Sequence, residues 1–246
     1  MAIKNTFYIL IIIARPAAGK SELIHYLKKI NAEERKQRFH IGEFEEIDDF
    51  PILWAWFEED GILSGMGKPR LHTTEDGYFM HTYLWDVLIR RINLEYEKRL
   101  MKDHNYHDSF TSVIEFSRGS RNGGFNRAFQ NLSPEVLKSA AVLYINVSYS
   151  ESVRKNRRRF NPDAPYSILE HSLPDDKMEI LYRSSDWETF SSGDPEYLDI
   201  QGIKVPYAVM ENEDDVTTKQ GEALGARLQE TLSRLWGIYQ RGRSDK

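Results

Sequence analysis

The chain contains no cysteine, and that absence removes disulfide staples, thiolate metal sites and thiol nucleophiles together. A membrane-length apolar run is missing too. The apolar stretch at residues 7–13 lies between Lys4 and Arg15 and falls far short of the roughly 20 residues that span a bilayer. No small-residue cleavage site follows it, as a secretory signal would require, so the expectation is a cytoplasmic protein without a membrane partner. Positive charge is not in excess either. The formal net charge is -5, whereas a general nucleic-acid binder presents broadly basic faces to the phosphate backbone; nucleic acid is therefore not expected as a partner, and any basic cluster is a local feature. Repeats, low-complexity tracts and a clear linker are also absent, so residues 1–246 read as one domain with insertions, long enough for a substantial core.

What the chain does have is alternation. Continuous apolar or β-branched runs at 7–13, 110–116 and 140–147, a weaker run at 38–50 that ends in acids, and a fifth at 202–211 predict five strands. Between them, Leu23, Ile24, Leu27 and Ile30 form one helical stripe. Further helices are expected at 51–63, 77–102, 133–139, 150–159 and 175–190. A last helix carries Leu224, Leu228, Leu232 and Leu235, with Thr217 and Gln220 as its capping box. Strands alternating with helices predict a parallel sheet covered on both faces, whose ligands belong at the carboxyl ends of the strands.

The first such end reads "LIIIARPAAGKSEL", residues 10–23. A phosphate loop has the form G-x-x-x-x-G-K-[ST]. Backbone N–H groups and a helix N-terminus face the phosphates, lysine adds charge, and the hydroxyl serves magnesium. Gly19, Lys20 and Ser21 are present, but Ala14 stands at the first glycine position. The strand–turn–helix context separates this stretch from a chance Gly-Lys-Ser. "ARPAAGKS" resembles the "GxPGSGKS" loop of P-loop small-molecule kinases, the group of nucleoside monophosphate, gluconate, shikimate and deoxynucleoside kinases. Pro16 matches; Ala14 and Ala17 replace glycines. Because alanine disfavours positive φ, the expectation is that both sit at negative φ with their methyls turned from the phosphates.

The resemblance implies a three-layer α/β P-loop sandwich with a five-stranded parallel sheet, a helical acceptor-binding insertion at 49–110 and an arginine lid at 157–174. It implies ATP and Mg²⁺ as donor and cofactor, held by Ala14, Arg15, Pro16, Ala17, Ala18, Gly19, Lys20, Ser21 and Glu22. Arg154 would add to that set, as would Asn212, in a segment that passes the adenine in such kinases. Asp48 and Asp49 end the second strand, where related enzymes carry a substrate or magnesium acid; "EFEEIDD" also fits a solvated acidic turn. Glu115 enters the carboxyl end of a buried strand, where a lone charge is expensive, in the position of a Walker B-type acid. The metal set is thus Ser21, Asp49 and Glu115, and the catalytic set Lys20, Glu115, Asp48, Arg118, Arg154 and Arg158. Arg118 and Arg121 follow in "EFSRGSRNGG", a loop suited to gripping an acceptor phosphate or carboxylate. "SVRKNRRRF" holds four arginines within six residues after the fourth strand. It resembles the Arg-x-x-x-Arg opening of a kinase lid, and a solvated helix face is the alternative. His171 within the lid span reads as incidental.

About 60 residues separate the second and third strands, far beyond an ordinary connection. In the families resembled this stretch caps the acceptor, with Lys68, Arg70 and His72 as candidate polar contacts, while Trp54, Trp56, Phe57 and Trp85 more often mean packing. The expected activity is an ATP- and magnesium-dependent kinase of a small metabolite, nucleoside or nucleotide; the alternative is a nucleotide-binding sensor that transfers nothing. A GTPase lacks its Asn-Lys-x-Asp signature here, and an ABC-type ATPase its LSGGQ segment. Acceptor identity and oligomeric state are not legible.

Overall fold

The structure, a computed structural model, describes residues 5–159 and 172–244. Its strands are β1 (Ile9–Ala14), β2 (Glu43–Asp48), β3 (Phe110–Phe116), β4 (Ala140–Asn146), β5 (Tyr197–Ile200) and β6 (Ile203–Glu211), joined in one sheet of order β2-β3-β1-β4-β6-β5. All pairs are parallel except β5 with β6. The α/β P-loop sandwich expected from the sequence is present, with one strand more. The extra strand, β5, is four residues long and turns into β6 through Gln201-Gly202. Both turn residues have positive φ, 55° and 75°, as the tight turn of a two-residue hairpin requires. An edge strand this short leaves almost no periodic signal.

The helices are α1 (Lys20–Lys29), α2 (Ala32–Phe39), α3 (Phe50–Gly65), α4 (Leu84–Lys102), α5 (Tyr106–Ser109), α6 (Gly124–Gln130), α7 (Pro134–Ser139), α8 (Tyr149–Arg159), α9 (Asp175–Tyr182), α10 (Trp187–Ser191), α11 (Val216–Lys219) and α12 (Gly221–Ser244). Two layers of core form because the sheet is apolar on both sides. Ile9, Ile11 and Ile13 of β1 pack towards α4, α6 and α10, while Leu10, Ile12 and Ala14 pack towards α1 and α12. Among the described residues no helix is long and apolar enough to cross a membrane.

Three sequence expectations change. The helix expected at 77–102 begins only at Leu84. Ahead of it, the fully buried Asp60 of α3 accepts from the backbone N–H groups of Leu71, His72 and Thr73 at 2.6–3.0 Å and from the Thr73 hydroxyl. Burial opposes its charge, yet these bonds hold its carboxyl well below the usual range. The segment is thereby folded back against α3. The helix expected at 175–190 splits into α9 and α10, because Asp186 accepts from the N–H groups of Phe125 and Asn126 and so caps α6. Thr217 and Gln220 make no capping box: Thr217 lies within α11 with its hydroxyl turned to Asn212 and Lys155.

Candidate active site

At the carboxyl end of β1 the chain turns through residues 15–19 into α1. Ala14 is fully buried beside Ile145 of β4 and keeps a negative φ. Ala17 does not follow the expectation: its φ is +55°, a left-handed conformation that costs an L-residue about 1–2 kcal/mol. The surroundings impose it. Arg15 reaches the carbonyls of Tyr182 and Arg183, Ser152 Oγ donates to Pro16 O at 2.7 Å, and Asn212 Nδ2 donates to Ala18 O at 2.8 Å. The loop is thus pinned from three sides while it reverses direction. Gly19 is needed outright: φ is +111°, and a Cβ there would meet Asn212 Nδ2 at 2.9 Å and run into Thr217 Oγ1. Asn212 is fully buried and spends its side chain on this clamp, accepting from Thr217 N as well, so that side chain is not turned to a base. Glu22 offers its carbonyl to Gln220.

Lys20 and Ser21 open α1 and face the ends of β2 and β3. Lys20 Nζ donates to Ser117 Oγ at 2.7 Å. Asp48 and Glu115 are register partners on neighbouring strands. Lys20, Ser21, Asp48, Glu115, Ser117 and Arg159 all line one cavity of about 170 Å³. Burial, with Glu115 and Asp49 nearby, pushes Asp48 up to about 8; burial also raises Glu115, against the pull of Lys20. Two raised carboxyls side by side are a site short of positive charge.

Asp49 and Arg118 are otherwise engaged. They form a nearly fully buried ion pair at 2.6 Å, and the guanidinium lies over Trp85, 4.9 Å from the ring centroid. Asp49 is therefore withdrawn from the expected metal set and Arg118 from the acceptor-gripping role: each neutralises the other at the cavity wall.

The arginines of α8 are also sorted by the helix. Arg154 contacts Glu151 and Asp215, and Arg158 lies 3.7 Å from Asp215; Lys155 reaches Asp215 at 2.7 Å. Burial opposes the charge of Asp215, but these hydrogen bonds hold its carboxyl below the usual range. Arg154 and Arg158 thus face Asp215. The arginine that enters the cavity lined by Lys20 and Ser21 is Arg159, whose Nη2 lies 3.3 Å from Ser21 Oγ. Sequence reasoning missed it because the i, i+4 spacing drew attention to the other pair. Of the expected lid, residues 160–171, with His171, lie outside the described residues.

A second cavity, of about 530 Å³, adjoins the first and shares Phe50, Leu53, Trp85, Leu173 and Tyr182 with it. Trp54, Phe57, Tyr78 and Phe79 extend its wall, and Arg121, Asn122 and Lys177 supply polar groups. Lys68, Arg70 and His72 are not in it: Arg70 donates to Thr73 and Ser64, and His72 stacks on Trp56 at 4.9 Å. Trp54, Phe57 and Trp85, expected as packing, are wall. Lys177, on α9, carried no sequence signal because its place depends on how α9 meets the segment at 77–79.

Among the described residues no group of three or more histidines or carboxylates is placed to hold a metal ion. The oxygen donors Ser21 and Glu115 nevertheless suit a hard cation, since magnesium takes few protein ligands and completes its shell with phosphate and water. Comparison with solved structures finds matches that extend over nearly the whole chain at low identity. A gluconokinase from Sinorhizobium meliloti 1021 matches with 14% identity and a TM-score of 0.40, covering 96% of each chain. An unliganded sugar kinase from Janibacter sp. HTCC2649 matches with 11% identity and a TM-score of 0.37, covering 94% of this chain and 98% of that one. No family model matches the sequence, and no curated protein matches it significantly.

Proposed function

We propose that the chain is an ATP- and magnesium-dependent phosphotransferase whose acceptor presents a hydroxyl group. The observation that carries this reading is the convergence of Lys20, Ser21, Asp48, Glu115 and Arg159 on one cavity where β1 turns into α1. The pinned loop and the start of α1 supply oriented N–H groups and a positive helix end for the donor phosphates. Lys20 and Arg159 add cations, which is what the transferred phosphoryl needs, because catalysis there is mostly positioning and charge neutralisation. Ser21 and Glu115 would hold magnesium, which supplies charge compensation on the phosphates. Asp48, with its carboxyl raised to about 8, takes the proton from the acceptor hydroxyl, a base tuned close to neutral pH. A phosphate acceptor is disfavoured, because the arginine at that edge, Arg118, is committed to Asp49. In this reading residues 49–110 form the acceptor-binding insertion of a single domain.

The test is an ADP-release assay with Mg-ATP over a panel of small alcohols, run beside calorimetric titration of an ATP analogue. Acceptor-dependent ADP release supports the reading. Saturable nucleotide binding with no transfer to any acceptor would identify a nucleotide-binding sensor instead.

A further inference from the structure

The larger cavity has the wrong chemistry for a polyhydroxy acid. Its polar groups are the side chains of Thr82, Arg121, Asn122 and Lys177 and the hydroxyls of Tyr78 and Tyr182, and the rest of its wall is aromatic or aliphatic. A sugar acid placed there would leave most of its hydroxyls desolvated without partners. The volume, about 530 Å³, falls within the range of roughly 300–1,000 Å³ typical of small-molecule sites. One wall is unusual in itself. The helix α3 is rich in Phe, Trp, Ile and Leu, yet Asp60 is its one buried residue. Phe50, Trp54 and Phe57 are only partly covered and line the cavity, with Phe57 stacked on Phe79 at 6.0 Å.

The charged groups are divided between the two cavities. Asp48, Glu115 and Lys20 line the small cavity and not the large one; Lys177 and Arg121 line the large one and not the small. Lys177 Nζ lies 5.2 Å from the centroid of Tyr78 and donates to Gly77 O at 3.3 Å, at the wall formed by α9 and the segment folded back by Asp60.

We infer that the acceptor is a planar aromatic or heteroaromatic alcohol. Its ring lies among Phe50, Trp54, Phe57, Phe79 and Trp85, its hydroxyl points to Asp48, and a carbonyl or anionic substituent at the far end meets Lys177. The inference names the substrate class of the phosphotransfer site and rests on that reading for which end of the molecule reacts. In the step itself, the acceptor oxygen bonds to the γ-phosphorus as the bond to the β–γ bridging oxygen breaks. The hydroxyl proton passes to Asp48, and ADP leaves.

The deciding experiment is calorimetric titration of the full chain with thymidine, adenosine and pyridoxine as aromatic alcohols, and gluconate and shikimate as polyhydroxy acids. A non-hydrolysable ATP analogue is titrated separately. At least one aromatic alcohol should bind at least tenfold more tightly than either acid. Trp54→Ala should weaken it at least tenfold while the Kd of the ATP analogue, which reports an intact fold, stays within twofold. Tighter binding of gluconate or shikimate, no saturable binding of any of the three aromatic alcohols, or an unchanged Kd in Trp54→Ala overturns the inference. The two readings fail separately. Binding of an aromatic alcohol that is never phosphorylated sinks the phosphotransferase and leaves the site assignment, whereas transfer to gluconate or shikimate does the reverse.

Discussion

The two adjoining cavities are built on opposite principles. The smaller draws most of its charges from the ends of β2 and β3 and the start of α1, beside the sheet, with Arg159 added from α8. The larger is walled by rings drawn from α3, the segment before α4, the first turn of α4, and α9, none of which belongs to the sheet. A site that stabilises a fixed charge pattern demands rigid supports, since misplacement by about 1 Å sharply reduces catalysis. A site that recognises shape and apolar surface tolerates looser ones. Substitution and salt should therefore act on one cavity without the other.

Lys20→Ala is the strongest way to test that separation. Loss of the cation at the proposed phosphate site should lower acceptor-dependent turnover by at least about 10²–10³-fold, with the circular dichroism spectrum unchanged and aromatic-alcohol affinity within twofold. An equal loss in both cavities would show that they are one site. Asp48→Asn should lower kcat by roughly 10²-fold and flatten the pH profile. In the free protein kcat/KM should rise through about pH 8 as the Asp48 carboxylate forms. Stability runs the other way. The folded carboxyl holds its proton from the ordinary value of 3.8 up to about 8, so this stabilising contribution is complete below 3.8 and is lost as the pH rises to about 8; denaturant titrations across that window should show a shallower decline in Asp48→Asn.

Smaller effects sharpen the contrast. Gly19→Ala places a methyl against Asn212 and Thr217 at φ +111° and should destabilise the protein by about 1–3 kcal/mol, read as a lower melting temperature and weaker ATP-analogue binding. Raising ionic strength from 0.05 to 0.5 M should weaken ATP-analogue binding several-fold and alcohol binding less than twofold, estimates that follow from roughly threefold shorter-range screening. Ala17→Gly should be the mildest, raising stability by up to about 1 kcal/mol: relief of a left-handed alanine slightly outweighs the extra chain entropy of glycine.

The same contrast decides what can be read from sequence. The charged cavity is legible because each part, from "AGKS" through "IDD" to "VIEF", sits at the end of an apolar run, so periodicity and motif point to one place. Three of the five expected strands are also plain as continuous apolar or β-branched runs. Arg159 and the Asp49–Arg118 pair are not legible, since side-chain direction at a strand end or along a basic helix depends on the partner it meets. The aromatic cavity is less legible still. Its rings come from segments 50–57, 77–85 and 173–182, and an apolar residue facing a ligand has the same spacing as one facing the core. Even the turn that positions Tyr78 and Phe79 depends on Asp60, a buried carboxylate that in sequence reads as one more surface acid.

The clamp on the loop also has a history in time. Asn212 holds Ala18 across 194 positions of chain, a closure that pays its entropy only after the intervening sheet has assembled. During synthesis, residues 15–19 emerge early but have no clamp until the end of β6 has left the ribosome. The proposed nucleotide cradle, translated well before its clamp, is thus among the parts of the molecule that mature late.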